Sequence, residues 1–165
     1  MAKYDPERSV QQSILDRLVD EARDSRVEAP LSRAESIRRL KIALRRDIEW
    51  LLNTRRTIVP IPPSYSEVSA SAFAYGMPDV TSMRVDTPQD EKRLLAALEL
   101  ALSSFEPRLV DVRVRSYERP RGRIHTLHFH IEGMLLIEPA PEHISFDTFL
   151  EVSRGTYQVV GDAGA

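Results

Sequence analysis

Residues 87–116 read TPQDEKRLLAALELALSSFEPRLVDVRVRS, and their order decides the fold class. Thr87 can cap a helix through its hydroxyl, Pro88 suits the first helical position, and Asp90 complements the positive end of the helix dipole. Leu94, Leu98, Ala101, Leu102 and Phe105 then recur three or four residues apart, which makes one apolar helix face. Pro107 stops that helix, because it has no N–H to donate and pushes Glu106 out of the helical region. Val110, Val112 and Val114 next alternate with Asp111, Arg113 and Arg115, the period of a strand with one buried face. A helix that turns a proline corner into a half-buried strand predicts helices packed on a sheet.

Working outward, Ser32 and Glu35 form a capping box. Ile37, Leu40, Leu44, Ile48 and Leu51 follow at helical spacing, so a helix is expected over roughly 33–53. Trp50 reads as either a core or an interface residue, with the core favoured and its indole N–H at the periphery. The prolines of TIVPIPP, residues 57–63, force extended chain, and residues 64–86 read as a loop with one helical turn and a Tyr75-Gly76-Met77-Pro78-Asp79 turn signal. Downstream, the Pro/Gly turn at residues 117–123 joins the first strand to an alternating run over 124–137, a long hairpin, and residues 146–160 add one or two strands around Gly155. Ser13 caps a short helix with Ile14, Leu15, Leu18 and Val19 on one side, followed by a charged connection to Pro30. The expected fold is α+β: two main helices on a mostly antiparallel, mixed sheet of about three to five strands, with an N-terminal helical extension. Residues 1–30 are expected to form an arm and linker, and residues 31–160 a single domain.

Composition narrows the chemistry. The chain has 165 residues, near the rough figure of 150 per domain, so a core without staples is feasible. It has no cysteine, which removes disulfides and thiolate metal sites. With 23 basic and 25 acidic side chains no global field gathers nucleic acid. The opening residues lack a signal-peptide apolar run and no segment approaches a membrane span, which predicts a cytoplasmic protein without direct membrane insertion.

Three chemical readings compete. His128 and His130 share a strand face, but with His143 and Glu132 unplaced they read as a strand surface, so neither metal nor cofactor is expected. A glycan hydrolase needs two carboxylates flanking a scissile bond; Glu49 and Glu106 are candidate acids, and Asp47 with Glu49 read better as a solvated or ion-paired helix flank. Arg113, Arg115, Arg119, Arg121 and Arg123 make a basic hairpin, but Tyr117 stands alone as a stacking ring, so a solvated or protein-contacting face is preferred over nucleic acid. Glu106-Pro107-Arg108 is read either as a helix stop with a surface ion pair or as a rigid corner whose arginine fork docks another chain.

Four stretches carry a resemblance. Arg46-Asp47-Ile48-Glu49-Trp50-Leu51-Leu52-Asn53-Thr54-Arg55 resembles the signature helix end of the TssE family of type VI secretion baseplate wedge subunits, and Tyr75-Gly76-Met77-Pro78-Asp79 resembles its NYG-L/M-PD turn. Glu106-Pro107-Arg108-Leu109 matches its EPR motif, and Ser13-Ile14-Leu15-Asp16-Arg17-Leu18 resembles its LLDRL opening. Together they reach to about residue 110, while the last third matches only in strand pattern. The resemblance implies the fold of the phage-tail wedge proteins called lysozyme-like and a structural, non-enzymatic role. The protein would join TssF, TssG and TssK, seed the TssB/TssC sheath and touch the VgrG hub, at the inner face of the cell envelope. By that analogy the Glu106-Pro107-Arg108 corner holds partners together or orders the sheath-facing sheet. Partner binding is expected at Glu106, Pro107 and Arg108, and, from the protein-contacting reading of the basic hairpin, at Arg113 and Arg115, with an open edge of the 109–137 hairpin available to a sheath strand. On that reading Glu106→Ala or Arg108→Ala leaves the isolated domain folded and abolishes assembly.

Overall fold

A computed structural model describes residues 10–18, 32–81, 87–117 and 126–162. Helix α1 spans Ile14–Leu18, α2 Arg33–Asn53, α3 Ser66–Ser69 and α4 Pro88–Phe105, with a 3-10 turn at Ala72–Ala74. Strands β1 (Leu109–Ser116), β2 (Thr126–Leu135), β3 (Glu142–Glu151) and β4 (Thr156–Asp162) form one sheet in the order β1-β2-β3-β4. All pairings in this meander are antiparallel. The parallel component is an isolated bridge, Arg55 to Met77, outside the sheet. The α+β architecture is therefore that read from the sequence, and the turn expected at 117–123 lies outside the described residues beyond Tyr117.

Local signals place the helices. The Ser32 hydroxyl accepts the Glu35 N–H and the Thr87 hydroxyl accepts the Asp90 N–H, each satisfying a donor that the first helical turn cannot. Both long helices lie on one face of the sheet, α4 against β1 and α2 against β4, and they touch each other. Leu44, Ile48 and Leu52 from α2 meet Leu94, Leu98 and Leu102 from α4 over Phe129, Ile131, Leu135, Ile144, Phe146 and Leu150, all sealed from solvent. Burying side chains of this size contributes about 1.5–3 kcal/mol each.

Trp50 departs from expectation, with 53% of its surface exposed. Ile48, Leu51 and Leu52 occupy the inward arc, so at 3.6 residues per turn position 50 faces out. The arginine of Arg46 covers its ring at 4.8 Å.

Gly76 explains how the loop after α2 folds back. Its φ is +106°, and a Cβ there would stand 2.3 Å from the Thr54 carbonyl oxygen. That closeness lets the Met77 N–H donate to Thr54 at 2.7 Å and buries Met77 and Val80 beneath the end of α2. Gly76→Ala combines a left-handed backbone with a backbone clash, so a loss of about 2 kcal/mol or more is expected. Urea unfolding monitored by circular dichroism would measure it, and wild-type stability would contradict the close approach.

Candidate functional site

Helix α4 ends where the Glu106 N–H donates to the Leu102 carbonyl at 2.9 Å. Pro107 follows, and the Leu109 N–H returns to the Glu106 carbonyl at 3.1 Å, closing a tight turn into β1. This folds Glu106 inward: only 5% of it is exposed. Arg108 meets it side on, Nε to Oε1 at 2.6 Å and Nη2 to Oε2 at 2.6 Å, a bidentate pair. Nη2 also donates to Asp47 Oδ2 on α2 at 2.7 Å. The Arg108 carbonyl accepts the Leu136 N–H at 2.8 Å, so the same residue sets the start of the β1–β2 pairing.

The network continues outward. Asp47 Oδ1 accepts from Arg46 Nη2 at 2.8 Å, and Arg46 Nη2 also reaches Asp16 Oδ1 on α1 at 2.7 Å. Asp16 is completed by the Ser13 hydroxyl at 2.5 Å. Acid and base therefore alternate from Glu106 through Arg108, Asp47 and Arg46 to Asp16, joining the corner, α2 and α1. Hydrogen bonds to Glu106, with its charge and that of Asp47, outweigh burial and hold the Arg108 guanidinium above arginine's usual pKa. Burial alone would raise Asp16, but the Ser13 hydroxyl and Arg46 outweigh it, so its pKa falls below the ordinary carboxylate value. Burial, then the nearby charges of Asp47 and Glu106, push the Tyr75 phenol up.

The sequence-derived site residues therefore separate into two groups. Glu106, Pro107 and Arg108 form an internal joint whose arginine fork is engaged within the chain. Nε and Nη2 of Arg108 are bonded to Glu106 and Asp47, and its Nη1 is buried without a hydrogen-bond partner. Arg113 and Arg115 lie on β1 with exposed side chains, Arg115 loosely opposite Glu132 at 3.9 Å. Arg119, Arg121 and Arg123 lie outside the described residues. Asp47, Arg46 and Asp16 were missed as parts of the joint. One signal was available: on the 3.6-residue wheel Asp47 falls beside Leu44, Ile48 and Leu51, where a carboxylate requires a cation.

Strands β1 and β4 are the sheet edges, and helix side chains meet both. Glu99 Oε1 of α4 accepts the Val114 N–H at 2.9 Å. Asn53 of α2 accepts the Tyr157 N–H at 2.8 Å and donates to the Tyr157 carbonyl at 2.8 Å, while Glu49 accepts the Val159 N–H at 3.3 Å. The expected open edge on the 109–137 hairpin is thus an edge with Glu99 on it. A bulge at Asp111, φ 54°, bends β1 further, with Gly133 opposite and a Cβ there 3.3 Å from the Val110 carbonyl.

The outer sheet face carries a row that the sequence hides. Tyr117 packs on His128 at 4.7 Å, and His128 stacks on Phe149 at 4.4 Å, so Tyr117 does not stand alone. His130 Nδ1 lies 3.1 Å from Asp147. Among the described residues no group of three His, Cys, Asp or Glu is placed to hold a metal ion. The two candidate acids are both hydrogen-bonded within the chain, Glu106 to Arg108 and Glu49 to the Val159 N–H.

The family model "Baseplate wedge protein gp25" matches residues 38–140, more than half of the chain, from the second turn of α2 across the corner to the loop between β2 and β3. The chain belongs to the gp25 baseplate wedge family. A solved chain described as "The baseplate complex from the type VI secretion system" is 20% identical, aligned over 68% of this chain and 94% of that one with a TM-score of 0.47, a likeness too distant to carry weight. No curated protein matches. Within this wedge-family chain, no described helix is long and apolar enough to cross a membrane.

Arg108→Ala would leave Glu106 buried against no cation. The expected loss is about 3 kcal/mol, the low end for breaking a buried pair, because Arg108 and Asp47 keep 23% and 24% exposure. Adding Glu106→Gln should cost less than the separate losses summed, as a chemical-denaturation double-mutant cycle would show. Asp16 gives a pH test. Its folded pKa lies below the unfolded value, so its contribution is present above about 3.9 and disappears as pH falls through the folded pKa. The Val10 and Asp16 amide signals should lose their docked shifts in that window, and Asp16→Asn should remove the transition.

Proposed function

We propose that this protein is a structural, non-enzymatic subunit of a type VI secretion baseplate wedge, joining neighbouring wedge subunits and seeding the contractile sheath. The family match across the corner carries the reading, and the four motifs similar to TssE support its type VI form. The partners are TssF, TssG and TssK in the wedge and TssB/TssC in the sheath, with contact to the VgrG hub, in the cytoplasm at the inner face of the envelope. Engagement of both candidate acids supports a role without glycan cleavage.

In this proposal Glu106, Pro107 and Arg108 serve binding by positioning: they set the angle at which β1 leaves α4. Arg113 and Arg115 are the part of the site that touches the partner, since their side chains are exposed on the edge strand. A sheath strand pairing with β1 would compete with Glu99 for the Val114 N–H, a trade of one hydrogen bond for a ladder.

Charge reversal at Arg113 and Arg115 tests this without disturbing the core. The double variant Arg113→Glu/Arg115→Glu should unfold like wild type yet lose co-purification with the wedge subunits and leave cells without sheaths by electron microscopy. Normal sheaths would refute the surface assignment, and turnover of peptidoglycan by the purified protein would refute the non-enzymatic one.

A further inference from the structure

Helix α1 is mounted inside out. Its acid, Asp16, points to Arg46 and the Val10 N–H donates to Ser36 Oγ at 2.9 Å, so polar contacts tie this segment to α2. The apolar side chains consequently face away: Ile14 is 76%, Leu15 52% and Leu18 77% exposed. Helix α2 also exposes Ile42 and Trp50, and Arg46 bridges the two helices by bonding Asp16 while lying over the Trp50 ring. Large apolar groups on two neighbouring helices are the pattern that a third helix covers in a bundle.

Charge decides what kind of helix. The positions three and four residues either side of Ile42 are Arg38, Arg39, Arg45 and Arg46, the nearest neighbours on a helix surface. Arg38 and Arg39 share one distant acid, Glu35, at 3.6 Å each. Arg45, and Arg17 on α1, have no carboxylate partner among the described residues. The exposed apolar groups thus lie in two rows with Arg46 between them and further arginines flanking Ile42. From this complementarity we infer that the α1–α2 face docks an acidic amphipathic helix of another protein. Its leucine-type side chains cover Ile14, Leu18, Ile42 and Trp50, and its carboxylates meet the arginines. This surface is separate from β1, and the inference does not rest on the assembly reading above. A lipid surface is the less favoured occupant, because the apolar groups sit in two rows parted by Arg46 rather than on one continuous face.

Trp50 reports on its own site, being the chain's single tryptophan. The probe is a synthetic helix with leucine at heptad positions a and d and glutamate elsewhere, titrated into the full chain at low salt while Trp50 emission is read. A saturable blue shift that weakens with added salt is expected. Leu18→Ser or Ile42→Ser, both on exposed positions, should leave the fold intact by circular dichroism and weaken binding about tenfold or more. Arg38→Glu/Arg45→Glu should abolish the response to the glutamate helix and create one to its lysine counterpart. The proposal is overturned by a scrambled peptide that works equally well, or by no shift at all. It is equally overturned by a shift seen only with phosphatidylglycerol vesicles, or by one that appears on raising protein concentration without peptide, which would make the occupant a lipid or a second copy.

Discussion

Arg108 holds two carboxylates from two parts of the chain, Glu106 at the end of α4 and Asp47 in the middle of α2, and the geometry of the corner depends on it. A nearly buried glutamate is tolerable only beside a cation, and a guanidinium fork matches a carboxylate with two parallel bonds. Because Pro107 fixes the chain between the partners, the ion pair fixes a direction too: β1 must leave α4 along one line. Arg108 then anchors β1 to β2 through its carbonyl, and Asp47 passes the connection to Arg46 and α1. One arginine thus relates helix, strand and arm.

The sheet edges show a second constraint. A meander ends in two strands with outward N–H and C=O groups, which invite pairing with any extended chain. Here α4 covers one side with Glu99, and α2 covers the other with Asn53 and Glu49. These bonds satisfy edge donors without a strand and make indiscriminate pairing costly. A specific partner can still win, since a ladder supplies several bonds where a side chain supplies one. The bulge at Asp111 confines the regular part of the β1 edge to the stretch carrying Arg113 and Arg115.

The carboxylates that look catalytic in the sequence are hydrogen-bonded inside the fold, Glu106 to a guanidinium and Glu49 to a backbone N–H. Surfaces remain: arginines along β1, an aromatic row on the open sheet face and an apolar patch on α1 and α2. That inventory fits a family defined by its place in an assembly.

Local information in the sequence was enough for α2, α4, their caps, the proline corner and the alternating strands, because each depends on neighbours within a few residues. It was enough also for the family resemblance, whose motifs are contiguous. It could not say that Arg108 would find Asp47, that Tyr117 would join His128 and Phe149, or that Glu99 would reach Val114, since those partners are brought together only when the sheet closes. Trp50 marks the same boundary. Its chemistry argued for the core, but the rotation of α2, set by Leu44, Ile48, Leu51 and Leu52 packing on the sheet, turned it outward. Short-range propensity and periodicity are written residue by residue; which distant charge answers a buried one is decided by packing.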